Sequence, residues 1–284
     1  ALFALGGYPL SDGAWRSQRG DFSAAPMSDG ALWLVGVVLL AGGVAALNLF
    51  IRRGLAAPRI VETARPDGLP WRAVTVPTAN DKKLHGWFIP AGQRQPALVG
   101  MHGWGGNAEM MLPLAAPLHA AGYSLLLVDA RCHGLSDGDS FASLPRFAED
   151  IEAALCWLAR QPEVDPLALG VIGHSVGAGA ALLAATRYPS LRAVVSLAAF
   201  AHPAAMMRRW LASKRIPFWP FGAYILAYVQ WVIGHRFDSI APCNTIAQLR
   251  CPVLIVHGLA ADTVPVEEAR QIFAARTNDA VELL

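Results

Sequence analysis

A serine framed by glycines, Gly173-His174-Ser175-Val176-Gly177, lies between an apolar run at 167–172 and a small-residue stretch at 178–185. The first reads as a buried parallel strand and the second as a helix. A strand that turns at once into a helix at G-x-S-x-G lifts a strained serine above the sheet edge, where its hydroxyl can attack a carbonyl. Gly173 and Gly177 suit the turn because a Cβ at either place would clash. Serine is a weak nucleophile at its free pKa, so this chemistry needs a base and a third group to orient that base. It also needs N–H donors for the negative charge that develops on the attacked carbonyl.

The flanking pattern supplies the elements that would hold such a serine. Residues 74–76 and 84–89 read as paired strands joined across Asn80-Asp81. Strand, loop and helix then alternate: a strand at 97–101, a helix at 108–121 ending at Gly122, a strand at 125–129 and a helix at 144–160. After the 167–172 strand and the serine turn come strands at 193–197 and 253–257, a helix at 266–275 and a last extended piece at 280–284. Alternation of this kind predicts a mostly parallel, doubly wound sheet with helices on both faces. Binding groups should gather at the carboxyl ends of its strands.

With 284 residues the chain can bury a large core. Its formal charge of +2 gives no basic footprint for nucleic acid. Four cysteines, Cys132, Cys156, Cys243 and Cys251, form no C-x-x-C pair and read as reduced thiols. Neither metal-ligand spacing nor a phosphate loop is present, so no metal and no cofactor are expected.

The apolar fraction of 54% exceeds the usual globular value, and residues 31–51 explain much of the excess. That run carries no charge, and Asn48 is its one strongly polar side chain. As a helix it would be about 30 Å long, the thickness of a bilayer's hydrocarbon core. Asp29 precedes it and Arg52-Arg53 follow, the reverse of a signal peptide's charge order. It is therefore expected to be a transmembrane helix. Arg52, Arg53, Arg59 and Arg65 after the span, against Arg16 and Arg19 before it, favour a cytoplasmic C-terminal domain. Residues 1–30 read as a tail, either extracytoplasmic or an upstream extension that the mature protein lacks, with Met27 an alternative start. Residues 52–73, with Pro58, Pro66, Gly68 and Pro70, read as a linker that holds the domain off the bilayer.

Four motifs occur in order: His102-Gly103-Trp104-Gly105-Gly106-Asn107, the loop from Asp129 through His133-Gly134 to Ser136, the serine turn, and His257-Gly258 followed by Asp262-Thr263-Val264-Pro265. On these, residues 74–284 resemble the α/β-hydrolase fold, close to the serine aminopeptidase-like and monoacylglycerol-lipase-like serine hydrolases. Cys132 departs from the glycine usual there, in a loop that the resemblance makes structural, as it makes Asp129. The resemblance implies that Ser175 is the nucleophile and that the oxyanion donors are the backbone amides of Trp104 and Val176. It makes Asp262 the triad acid, which would hold the base in the right tautomer. Asp262 also reads as a helix-cap aspartate, because Thr263-Val264-Pro265 could open a helix. The triad order in this fold is Ser, Asp, His, yet no histidine follows Asp262. Each histidine present has another explanation, so the simplest reading is a fragment that ends just short of its base.

An insertion at about 200–240 carries Met206, Met207, Trp210, Phe218, Trp219, Phe221, Tyr224, Tyr228 and Trp231. By resemblance it forms a small helical cap over the serine. Its aromatics would line an apolar acyl site or simply pack the cap onto the sheet. Arg208, Arg209, Lys214 and Arg215 beside them allow a cap face that rests on anionic lipid. The expected activity is cleavage of small apolar carboxylic esters through an acyl-enzyme. Amide or peptide cleavage is the alternative within the fold, and a non-catalytic binding module the alternative outside catalysis.

Overall fold

The computed structural model describes residues 28–261 and 263–284. Residues 1–46 and 47–284 form two compact units. Most of the expected N-terminal tail, Met27 included, lies outside the described residues, as does Asp262. Within the first unit the described chain is helical. Helix α1 (Asp29–Gly54) is rich in Leu, Val and Ala, and its apolar side chains, such as Trp33, Leu39 and Leu40, are exposed. By length and composition α1 can cross a membrane, a property that a signal sequence near the N-terminus shares. Its end, Leu47–Gly54, belongs to the second unit.

The second unit is built on one eight-stranded sheet. Its strands are β1 (Arg72–Thr78), β2 (Lys82–Ile89), β3 (Gln95–Met101), β4 (Ser124–Val128), β5 (Val164–His174), β6 (Ala193–Leu197), β7 (Val253–Val256) and β8 (Val281–Leu283). Their order across the sheet is β1-β2-β4-β3-β5-β6-β7-β8. Only β2 runs against its neighbours. Asn80 and Asp81 take positive φ in the β1–β2 turn, a conformation that Asn and Asp tolerate through local hydrogen bonding.

Alternate residues of the central strands feed two separate cores. Val99, Leu126, Val128 and Val171 face the cluster that holds α3 (Leu144–Leu158) and α4 (Val176–Arg187). Leu125, Leu127 and Ile172 face a second cluster with Ala108, Met111 and Ala115. Helix α3 buries Phe147, Ala148, Ile151, Ala154, Leu155 and Leu158, the 3.6-residue stripe of a core-facing helix, and Ser143 caps its start. The expected 108–121 helix is split. A 3₁₀ turn at Ala108–Met111 precedes α2 (Leu112–Ala120), whose Pro113 sits in the first turn where no amide is needed.

Between β6 and β7 lie α5 (Pro203–Ser213), α6 (Ala223–Ile233) and two short helices, α7 (Phe237–Ile240) and α8 (Pro242–Thr245). Helix α9 (Val266–Ala274) then leads to β8. Residues 55–71 do not stand free as a spacer but lie along this unit as a strap. Arg59 donates to the carbonyls of Gly134 and Ser136, the Ile60 carbonyl accepts from Asn107 Nδ2, and Thr63 donates to Glu109.

Candidate active site

Parallel pairing of β3, β5, β6 and β7 brings their carboxyl ends to one edge, with Met101 opposite Gly173 and His174 opposite Leu197. Ser175 sits on that edge between β5 and α4 with φ +54° and ψ −115°. A non-glycine residue held there costs on the order of 1–3 kcal/mol, so the surroundings must impose it. They do so through backbone. The Ser175 amide donates to Leu197 O at 2.8 Å, and Ser175 O accepts from Ala178 and Gly179 at 3.0 and 3.1 Å. A Cβ on Gly173 would run into the Gly177 carbonyl, and one on Gly177 into the carbonyls of Met101 and His102. The first turn of α4 therefore rests directly on the end of β3.

The loop after β3 lies against the serine. A Cβ on Gly103 would stand 3.1 Å from Ser175 Cβ and 3.1 Å from His174 Nδ1. The Trp104 amide has no backbone acceptor among the described residues. The Val176 amide is at the first position of α4, where no intrahelical partner exists. His102 fixes this loop from beneath, a role that its place before a glycine did not reveal. Its Nδ1 donates to Gly103 O at 2.6 Å, and its Nε2 accepts from the Ala130 amide at 3.0 Å. Accepting at Nε2 needs the neutral ring. Burial, then the neighbouring His133, bring its pKa down to about 4.

Asp129 ties the same loop to the next one. Its Oδ1 accepts from the Ala108 amide at 2.7 Å and its Oδ2 from the Leu135 amide at 2.8 Å. Burial opposes its charge, but His85, Glu62 and these amides override it and hold the carboxyl at about 2. Arg131 and Asp150, both buried, pair at 2.7 Å behind this loop. Cys132 takes φ +69°, the left-handed conformation that a glycine would hold without strain.

Asp262 lies outside the described residues, but its loop is anchored. His257 Nε2 donates to Val264 O at 2.7 Å, and the Ala261 amide donates to Gly258 O. Other histidines are engaged elsewhere: His133 with Arg131 O, His119 with Pro90 O, and His202 with Asp238. His174, beside the serine, has a buried Nδ1 without a partner, and burial lowers its pKa.

The cap aromatics divide. In the insertion at 200–240, the aliphatic Leu211, Ile225, Leu226 and Val229 are buried in the core, whereas Trp210, Phe218, Trp219, Phe221, Tyr224 and Trp231 are exposed. Tyr228, with Met206 and Met207, also packs against the core. Tyr224, Tyr228 and Trp231 stack along α6. Tyr224 donates to Asn48 Oδ1 and Arg52 donates to the Tyr228 hydroxyl, so the end of α1 is fastened to α6. A cleft of about 390 Å³ lined by Arg52, Ser140, Phe141, Trp231 and Val232 includes no residue of the serine turn or of the 102–107 loop.

Residues 92–238 match the model of the family described as Serine aminopeptidase, S33. An uncharacterised protein of Mycobacterium tuberculosis is 31% identical over 72% of this chain, which spans 66% of that relative's length. Among solved structures, an esterase of Pyrococcus furiosus is similar with a TM-score of 0.66 at 24% identity, covering 81% of this chain and 86% of that one. An acetyl xylan esterase from Paenibacillus is similar with a TM-score of 0.61 at 18% identity, covering 84% and 87%. These structural likenesses carry the fold, with its mostly parallel eight-stranded sheet. The chain belongs to the serine aminopeptidase S33-like family of the α/β-hydrolase fold.

Proposed function

We propose that this protein is a serine hydrolase that cleaves carboxylic esters through an acyl-enzyme and is held at a membrane by α1. The observation that carries the reading is Ser175, kept at positive φ on the sheet edge with the Gly103 loop against its Cβ. Its Oγ attacks the ester carbonyl while the Trp104 and Val176 amides receive the oxyanion. The base passes the serine proton to the departing oxygen, which leaves as the alcohol, and water, giving up a proton to the same base, then releases the acid and restores the Ser175 hydroxyl. Asp262 orients the base. In the order that the family implies, that base is a histidine C-terminal to Asp262. Similarity to esterases supports the ester reading. The family description favours a second one, amide cleavage at the same serine.

A fluorophosphonate probe tests the chemistry. Labelling that disappears in Ser175→Ala supports the hydrolase, and absence of labelling in the wild-type protein supports a non-catalytic module. Turnover of a p-nitrophenyl acyl ester against an aminoacyl p-nitroanilide separates ester from amide preference. In the proposed organisation residues 1–30 are a tail, 31–51 span the bilayer, 52–73 link, and 74–284 form a cytoplasmic domain. The exposed cap aromatics beside Arg208 and Lys214 suit contact with anionic lipid. Flotation of residues 47–284 with anionic liposomes tests that contact, and no residual binding removes it.

A further inference from the structure

Glu62 from the strap, His85 from β2 and Asp129 at the end of β4 converge two strands away from Ser175. Their ligand atoms all lie within 4.8 Å of one another. His85 Nδ1 is 3.3 Å from Glu62 Oε1 and 3.4 Å from Asp129 Oδ2. Neither His85 Nδ1 nor Glu62 Oε1 has a hydrogen-bond partner, although both atoms are buried and the Glu62 side chain is only 6% exposed. The Asp129 side chain is fully buried. Two buried carboxylates within 4.8 Å of one another repel unless a proton or a cation lies between them.

We propose that Glu62, His85 and Asp129 form a binding site for a divalent cation of zinc type. The spacing fits. In a tetrahedral site with bonds of about 2.0–2.1 Å, neighbouring ligand atoms stand about 3.3–3.4 Å apart. One imidazole nitrogen with two carboxylate oxygens suits zinc better than magnesium or calcium, which take oxygen ligands. Asp129 Oδ2 spends one lone pair on the Leu135 amide and keeps another for the ion. A cleft of about 340 Å³, lined by Glu62, His85, Trp71, Trp87 and Leu135 among others, leaves room for a water as fourth ligand. The ligands come from a strap, a strand and a loop 67 positions apart at the extremes, so no sequence spacing announces the site. Bound there, the ion would clamp the strap to the end of β4.

Zinc chloride and cobalt chloride titrated into the full chain in detergent test the proposal. The expected result is one equivalent bound. The affinity should fall about tenfold or more in Glu62→Gln and in His85→Gln. The cobalt form should show the visible absorption of a four-coordinate site, lost in His85→Gln. In the wild-type protein, saturating zinc should slow modification of His85 by diethylpyrocarbonate, a readout that depends on no variant. Absence of saturable binding, wild-type affinity in both variants, or unchanged modification of His85 would overturn it.

Discussion

The serine turn and the cap are both inserted at the carboxyl edge of one sheet, yet they are held in different ways. Around Ser175 the fixing contacts are backbone to backbone: Leu197 O on its amide, and α4 seated on the carbonyls of Met101 and His102. The cap is held by a few aliphatic side chains and by hydroxyl bonds to the end of α1, with most of its aromatics turned outward. Backbone contacts leave no adjustable atoms, so the first region tolerates no added volume. The second rests on side-chain contacts, which rotamer changes can accommodate.

The sharpest way to break this contrast is to add one methyl group at the turn. Gly177→Ala would push α4 off β3 and should cost about 3 kcal/mol, as overpacking does. Urea unfolding of residues 47–284 measures it, and a loss below 1 kcal/mol would mean that the turn is softer than its contacts imply.

Acid probes the same region through His102. An unfolded histidine takes up a proton below about pH 6.5, whereas the folded ring resists until about pH 4. Unfolding therefore binds a proton in that window, and stability falls by up to about 3 kcal/mol as pH drops through it. Above pH 6.5 this contribution is fully present. Buried Asp150, raised by burial to about 6, acts in the opposite sense, so the comparison is between pH profiles of wild type and His102→Gln. The variant should lose the His102 part of the slope between pH 6.5 and 4.

Changes in the cap should be gentler. Tyr224→Phe removes one exposed hydrogen bond to Asn48 and should lower stability by about 0.5–1 kcal/mol. Smallest of all, Trp219→Ala removes a side chain that is 79% exposed and should change unfolding by less than about 0.5 kcal/mol. If Trp219 costs more than Gly177, the contrast between the two regions is wrong.

Much of this was legible before any coordinates. Strong periodicity gave α3, and the run of small residues gave α4, because tertiary packing agrees there with local pattern. The order of four motifs placed Ser175 and the loop at Trp104 on one edge. Other features depend on distant partners. β5 begins three residues earlier than its apolar run, because β3 pairs with Val164 across an irregular register. His102 looked like a strand-end residue, since its two bonds reach Gly103 and a loop 28 positions away. The strap read as a spacer because its anchors, Arg59 and Asn107, are joined only in three dimensions. Outward exposure of the cap aromatics has no periodic signature in so short a segment.

The strap also sets a tether length. A Cβ on Gly105 would lie 2.9 Å from Pro58 Cγ, so the chain reaches the loop beside the serine only four residues after α1 ends at Gly54. Four residues extend at most about 14 Å. With α1 in a bilayer, as proposed, the candidate site is leashed within one protein radius of the lipid surface. Its concentration toward anything dissolved in that surface would be set by geometry, and solution affinity would understate it. Loosening that leash would take a longer strap between Gly54 and Pro58 together with loss of the bonds that join Asn48 and Arg52 to α6.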